Sequence, residues 1–218
     1  MKKLNYFLEK DSRIKNVYNY AKAKYNRAKL TQHNWEHILR DLYRALVIAE
    51  TEKEVNYNIL ILAVLLHDIG ATETEYQKHE ETGPLIVRRD LPKFGYTKKE
   101  IENIVHCVEV HEEKIKQKTI EAKILLDADR LEKCGIGGIF GFYRAQQESR
   151  IPLNKWVKMA MGKTQRFIKD GFYTKKAREI CGNDFQESLK HFKEVIKNLN
   201  KRKDFLISEE DLWSKENQ

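Results

Sequence analysis

The sequence predicts an all-helical protein. Only three prolines and ten glycines occur among its 218 residues, so few residues are available to interrupt helices or to form tight turns. Apolar residues recur at helical spacing along most of the chain, and only one segment could be a strand on periodicity alone. With 41% apolar and 34% charged residues, the composition is that of a soluble globular protein with a heavily charged surface.

Two helices are predicted before residue 50, joined by a short polar segment at residues 31–34. The first spans residues 11–30, and its recurring apolar side chains are Ile14, Val17, Ala21 and Tyr25. The second carries two adjoining stripes. The apolar stripe comprises Ile38, Leu42, Ala45, Leu46 and Ala49. The polar stripe comprises His37, Asp41 and Arg44.

Residues 56–68 are predicted to form a buried central helix. Positions 59–66 are apolar on all sides, a pattern that a buried strand would share. The length of the segment and the absence of a second strand candidate favour a helix. Gly70, just beyond it, suits the end of a helix.

Further helices are predicted along the rest of the chain. The segment 97–100 has the spacing of a capping box and opens one of them. The others span residues 75–90, 120–133, 139–148, 152–169 and 174–200, and the polar tail has a short helix near Ser208. Glycines at 135–138 separate two of these helices. We find no internal repeat and no low-complexity linker, so we expect one all-α domain with a helical C-terminal extension.

The charge pattern, the apolar runs and the cysteines limit which partners and which cellular location we expect. The net charge of +8 favours anionic partners, but Lys and Arg are spread along helix faces, which is typical of a solvated surface. No apolar run is long enough to span a bilayer, and the first apolar stretch is too short for a signal peptide, so we expect a cytoplasmic protein. Cys107, Cys134 and Cys181 are odd in number and lack metal-ligand spacing, so we expect reduced, mostly buried thiols.

The histidines indicate a metal site. Six of the seven lie between positions 33 and 111, and imidazoles together with carboxylates bind divalent transition metals. His67 and Asp68 end the most apolar helix, where burying an ionisable pair is costly unless an ion compensates it. Taken alone, the pair could instead be a helix-terminal pair at the surface.

His37 upstream and Asp129 downstream complete an ordered pattern of His, His-Asp and Asp. The segments 35–40, 65–70 and 128–131 resemble the HD-domain superfamily of metal-dependent phosphohydrolases, most closely its small stand-alone bacterial and archaeal members. The resemblance extends from about residue 30 to residue 195. It implies an all-α HD-domain helical bundle with an N-terminal helix at 1–30, a metal-binding core at 31–150 and a C-terminal helical extension at 151–218.

The resemblance also implies the site. The metal ligands would be His37, His67, Asp68 and Asp129, with Asp68 and His67 also catalytic. Asp127 is the alternative to Asp129, although it should face elsewhere on the same helix. The ion would be manganese first, with Fe, Co, Ni, Zn or Mg as alternatives.

Substrate contacts are expected from a second group of residues, which comprises His79, His106, His111, Arg40 and Lys78. Its three histidines could instead bind a second metal. Arg88 and Arg130 are further cations for a phosphoryl group, although Arg130 could be a structural ion-pair partner. His33 is a pocket candidate, and His191 should be structural.

The expected activity is the hydrolysis of a phosphoester or phosphoanhydride bond in a nucleotide or similar small metabolite. A metal-activated water would attack phosphorus. The alternatives are a di-iron oxygenase of the same fold and a cyclic mono- or dinucleotide phosphodiesterase, although the Gly-Tyr-Pro motif of one such group is missing. Nucleic-acid binding has no recognised motif to support it, no membrane partner is expected, and a homodimer is an open alternative. Gly70 and Ala71 stand where some relatives carry an acidic residue, so the general base stays unassigned.

Overall fold

The computed structural model describes residues 4–74, 78–112 and 116–202. Within these ranges all the regular secondary structure is helical, which confirms the predicted class. The α-helices are α1 (Leu4–Lys10), α2 (Ser12–Ala28), α3 (Trp35–Ala49), α4 (Tyr57–Leu66), α5 (His79–Asp90), α6 (Lys98–Glu109), α7 (Ile120–Glu132), α8 (Gly135–Ser149), α9 (Leu153–Asp170), α10 (Lys175–Cys181) and α11 (Asp184–Lys201). Short 3₁₀ helices follow α4 and α5, at Ile69–Thr72 and Leu91–Phe94.

Side-chain caps fix where several of the helices begin. The Asn34 side chain accepts a hydrogen bond from the backbone N–H of His37 at 3.0 Å, which satisfies a donor that the first turn of α3 leaves free. His37 is thereby held in the first turn of α3. The capping box predicted at Thr97 and Glu100 is present at the start of α6.

The central helix is α4, as predicted. Its residues 59–66 are all buried, and it packs against α2, α3, α6 and α7. The helix ends at Leu66, so the expectation for Gly70 was wrong: Gly70 lies inside the following 3₁₀ helix. A Cβ atom at Gly70 would overlap the backbone carbonyl oxygen of His79, so glycine is needed for the close approach of α5.

Two predicted boundaries in the C-terminal part were wrong. Helix α8 begins at Gly135 rather than residue 139, because Gly138 lets it start directly against the backbone of Lys133. The predicted helix 174–200 is divided at Gly182, whose φ of 48° ends α10. The helices predicted at 11–30, 120–133 and 152–169 are present within two residues of those bounds.

Helices α8, α9 and α11 pack together on one side of the central helices. In the described residues, no helix has both the length and the apolar character needed to cross a membrane. All three cysteines are buried and free. The predicted helix 75–90 is seen from His79, while residues 75–77 and Ser208 lie outside the described residues.

Candidate metal centre

Three helices bring the predicted metal ligands together. His37 lies in the first turn of α3, His67 and Asp68 follow the last turn of α4, and Asp129 lies on α7. The Oδ2 atom of Asp68 is 3.1 Å from the Nε2 atoms of both His37 and His67. Asp129 Oδ1 is 4.0 Å from His37 Nε2. All four side chains are buried, so the bundle holds them in one shared site.

Asp41 joins this group, although the sequence analysis assigned it no role beyond its place on the polar stripe. It lies one helical turn after His37, and its Oδ2 is 3.3 Å from His37 Nε2 and 3.7 Å from His67 Nε2. Arg44 donates to the other oxygen of Asp41 at 3.1 Å. The i, i+4 spacing from His37 was the signal that could have identified it.

A second set of histidines faces the same aspartate. The Nε2 atoms of His79 and His111 are each 3.5 Å from Asp68 Oδ1, and His33 Nε2 is 4.0 Å from Asp68 Oδ2. Asp68 therefore lies between two groups of imidazoles. Its Oδ2 atom faces His37 and His67, and its Oδ1 atom faces His79 and His111.

Backbone carbonyl groups orient two of the rings. His67 Nδ1 is 2.8 Å from the carbonyl oxygen of Val64, and His111 Nδ1 is 2.6 Å from that of Val108. Donation from Nδ1–H leaves Nε2 as the free nitrogen that faces Asp68. This is the arrangement in which histidines bind metals, with the second nitrogen fixed by an outer hydrogen bond.

The cluster has strong internal electrostatics. Burial opposes ionisation of Asp68, but His67 and His33 outweigh it and hold the pKa of Asp68 well below its usual range. Burial lowers the pKa of His37, and the carboxylates of Asp41 and Asp68 outweigh that effect and hold it well above the usual value. Burial, with the nearby charge of Asp129, raises the pKa of Asp41 to about 6. Positive charge in the cluster is therefore favourable.

These residues fit a divalent metal ion. His67 Nε2 and Asp41 Oδ2 are buried and have no hydrogen-bond partner within the described structure, although unpaired buried polar atoms are costly. One group able to hold an ion comprises His37, Asp41, His67 and Asp129, and another comprises His33, Asp68 and His79. A donor set of imidazole nitrogens and carboxylate oxygens suits Mn, Fe, Co, Ni or Zn.

The cluster lies at one side of a cavity of about 480 Å³. His33, His37, Asp68, Asp129 and Glu132 form the polar side of the lining. The apolar side is contributed by α8, α9 and the turn between them, and comprises Phe142, Ala145, Ile151, Trp156, Met159 and Ala160. The cavity lining also contains Lys133, Lys163 and Arg166, none of which the sequence had singled out.

The cations that we predicted from the sequence to contact the substrate do not line this cavity. Arg40 is paired with Glu132 Oε1, at 2.5 Å from its Nη2 atom, and faces a groove on the other side of α3. Lys78 is exposed beside Thr74. Arg88 is paired with Glu102 at 3.0 Å on the surface.

Arg130 has a structural role, which in the described residues rests on a backbone carbonyl group and an aromatic ring rather than on the ion pair of the alternative prediction. It is buried, donates to the carbonyl oxygen of Gly171 at 2.6 Å and packs over the ring of Phe167 at 4.8 Å. It therefore ties α7 to the end of α9.

The remaining predicted residues are placed as follows. His106 is separated from His79 and His111, because its Nε2 accepts from the backbone N–H of Lys118 at 3.1 Å, and it lines neither the cavity nor a candidate ion group. His33 lines the cavity, with its Nδ1 2.6 Å from Glu148 Oε2. His191 contacts the hydroxyl group of Tyr143 at 3.2 Å.

Asp127 faces away from the cluster. Its carboxylate accepts from the backbone N–H of Tyr173 at 2.9 Å, and from the N–H and the hydroxyl of Thr174 at 2.7 Å each. These bonds fasten the start of α10 to α7.

Comparison with known proteins agrees with this fold. Residues 34–134 match the family model of the HD domain. The chain therefore contains an HD domain. No curated protein matches the sequence, but solved structures share the fold. A predicted HD superfamily hydrolase from an uncultured Thermotogales bacterium superposes with a TM-score of 0.59 at 19% identity, covering 90% of this chain and 98% of that chain.

Two further structures extend the comparison. Bacillus subtilis YpgQ in complex with ADP gives a TM-score of 0.65 at 22% identity, covering 86% of this chain and 95% of its own. A Lactobacillus plantarum protein gives 0.70 at 15% identity, covering 88% and 98%. The HD domain and the buried histidine–aspartate cluster together support a metal-dependent hydrolase in general.

Proposed function

We propose that this HD-domain protein is a metal-dependent phosphohydrolase that cleaves a phosphoester or phosphoanhydride bond of a nucleotide or similar small phosphorylated compound. The observation that carries the proposal is the buried histidine–aspartate cluster at the side of a cavity that also contains lysines and an apolar wall. The cluster suits an ion, the lysines suit phosphate, and the wall suits an organic group.

His37, His67, Asp68 and Asp129 would hold the ion, with Asp41 beside them as a further carboxylate. A bound divalent ion lowers the pKa of its water and polarises a phosphoryl oxygen, which is the chemistry that this hydrolysis requires. Manganese is our first choice, since the donors combine imidazole with carboxylate. Asp68 lines the cavity, so it is the residue that we assign to orienting the attacking water.

We assign His79 and His111 a role other than the substrate contact predicted from the sequence. Both contact Asp68 but neither lines the cavity, so we assign them to holding Asp68 or a second ion. His33 lines the cavity, is fixed by Glu148 and is not one of the four predicted metal ligands, so it is the histidine that we assign to substrate contact.

A nucleotide is the substrate class that the cavity supports best. Pockets for such ligands are mostly apolar with a few convergent polar groups, and a volume of about 480 Å³ with an aromatic wall of Phe142 and Trp156 can take a nucleobase. The ADP bound to B. subtilis YpgQ, which shares the fold, supports the same class.

A second candidate is a di-iron oxygenase. The specific observation is that Asp68 directs its two oxygens towards different histidines, with His37 and His67 on one side and His79 and His111 on the other. A carboxylate in this position could bridge two ions.

The test combines metal analysis with a substrate panel. The purified protein is analysed for bound metals and then assayed with Mn, Co, Ni and Mg against nucleotides and other phosphate esters. Asp68→Ala is compared with Glu36→Gln, a matched carboxylate control that is exposed on α3. We expect metal-dependent release of phosphate or pyrophosphate that Asp68→Ala lowers by more than about a hundredfold and Glu36→Gln leaves unchanged.

Two other outcomes decide against this proposal. Two irons per chain with oxygen consumption and no hydrolysis would establish the second candidate. Absence of both bound metal and turnover would overturn both functions.

A further inference from the structure

Two lysines on the wall of the cavity share one carboxylate. Lys133 Nζ is 2.8 Å from Glu112 Oε1, and Lys163 Nζ is 3.1 Å from Glu112 Oε2. Lys133 also reaches Asp129 Oδ2 at 2.5 Å. A continuous chain of charged contacts therefore runs from the metal centre, through Lys133 and Glu112, to Lys163 on α9.

Packing and ion pairs hold both lysines in place. The ammonium group of Lys133 lies between the carboxylates of Asp129 and Glu112. Both ammonium groups lie 6.0 Å from the centre of the Phe167 ring, a buried side chain. The two lysines are thus positioned by packing as well as by charge.

The cations and most of the carboxylates of the cavity come from different elements. Lys163 and Arg166 lie on α9, and Lys133 is linked to Lys163 through Glu112, whereas Asp68, Asp129 and Glu132 come from the end of α4 and from α7. An anion entering the cavity would be attracted to the part of the lining around Lys163 and Arg166. The carboxylate of Glu112, lying between two ammonium groups, already shows that this place accepts negatively charged oxygens.

We propose that Lys133 and Lys163 bind the phosphate chain of the substrate, and that the protein therefore selects compounds with at least two phosphoryl groups over monoesters. This inference rests on the proposed function. Lys133, which touches the metal-centre residue Asp129, contacts the phosphoryl group that is cleaved. Lys163, which is separated from Lys133 by the carboxylate of Glu112, contacts the next phosphoryl group.

The first experiment needs no turnover. Binding of inorganic pyrophosphate and of inorganic phosphate to the metal-free protein is measured by calorimetry, in the presence of chelator. The variants are Lys163→Met, Lys163→Arg and Lys158→Met, where Lys158 is an exposed lysine of the same helix that does not line the cavity. Lys163 is the chosen position because changing Lys133 would also disturb Asp129.

We expect the wild-type protein to bind pyrophosphate more tightly than phosphate. Lys163→Met should weaken pyrophosphate binding about tenfold, the effect of losing one charge-assisted hydrogen bond, and should change phosphate binding little. Lys163→Arg should restore most of the affinity, and Lys158→Met should match the wild type. Equal affinity of the wild type for both anions, or a correctly folded Lys163→Met variant with unchanged pyrophosphate binding, would overturn the inference.

The second experiment uses the active enzyme. For one nucleoside, kcat/KM is compared between its diphosphate and its monophosphate. We expect Lys163→Met to raise KM for the diphosphate and to leave the monophosphate nearly unaffected, whereas a merely structural role would lower kcat for both. If no phosphate compound is hydrolysed, the proposed function fails, and pyrophosphate binding still decides whether the lysines form an anion site.

Discussion

Two aspartates on α7, Asp127 and Asp129, are separated by a single residue but have different contacts, and they allow a sharp test of the site. Asp127 and Asp129 are both buried, but Asp129 lies beside His37 and Lys133, whereas Asp127 accepts three hydrogen bonds from Tyr173 and Thr174. The isosteric changes Asp127→Asn and Asp129→Asn should therefore have opposite consequences. The first should lower stability, and the second should remove metal.

The size of the first effect follows from its hydrogen bonds. An asparagine keeps one carbonyl oxygen and replaces the other with an NH₂ group, which would then face one of the backbone N–H donors of residues 173 and 174. A buried donor left without an acceptor costs about 1–3 kcal/mol. Burial already raises the pKa of Asp127, although its hydrogen bonds oppose that shift, so the carboxylate contributes less than three ideal charged bonds would. We expect Asp127→Asn to lower the free energy of unfolding by about 1–3 kcal/mol.

Asp129→Asn should behave differently in the metal-free protein. It removes a negative charge from a site that also contains Asp41 and Asp68 but leaves Lys133 with one partner fewer, so these effects oppose each other. Its free energy of unfolding should change less than that of Asp127→Asn.

Urea unfolding in the presence of chelator measures the stabilities, and elemental analysis after loading with manganese measures the metal. The reasoning would be refuted if Asp127→Asn lost metal at unchanged stability, or if Asp129→Asn retained metal as the wild type does.

Three further changes test other parts of the structure. Gly70→Ala should destabilise the protein by about 1–3 kcal/mol or more, because the added Cβ would overlap the carbonyl oxygen of His79; thermal unfolding checks this. Arg89 holds the pKa of Glu73 at about 2, below the usual 4.5, so the stability from this exposed pair is present above pH 4.5 and is lost as the pH falls towards 2. Glu73→Gln should thus cost up to about 1 kcal/mol at neutral pH and progressively less in acid, as urea unfolding at several pH values would show. His106→Gln should leave metal content and kcat/KM unchanged, because His106 contacts Lys118 rather than the cavity; a loss of metal would contradict its placement.

Much of the fold was predictable because the signals are local. The apolar stripe of α3, the uniformly apolar run of α4 and the capping box before α6 each specify a helix within about a dozen residues. The errors at Gly135 and Gly182 have a common cause. A glycine in sequence marks where a backbone can turn, but only packing decides whether it begins a helix, as Gly135 does, or ends one, as Gly182 does.

That the four residues of the candidate metal centre would lie together was predictable for a different reason. His37, His67, Asp68 and Asp129 carry a recurring order of residue types, and the structure brings them together. His106 and Lys78 were misplaced because nearness in sequence to His111 or His79 does not fix the direction of a side chain. His106 turns to the backbone of Lys118, and Lys78 lies at the surface.

The cations show where sequence reasoning ends. Arg40 follows His37 by three positions, so helix geometry places it near the same face, and it was a reasonable candidate for a phosphoryl group. In the structure, the guanidinium group of Arg40 donates two hydrogen bonds to Glu132 on α7 and is held outside the cavity. Lys133, the very next residue after Glu132, enters the cavity instead. In a chain with 41 lysines and arginines, the useful distinction is which cations line the cavity, and that depends on contacts between helices that no single segment encodes.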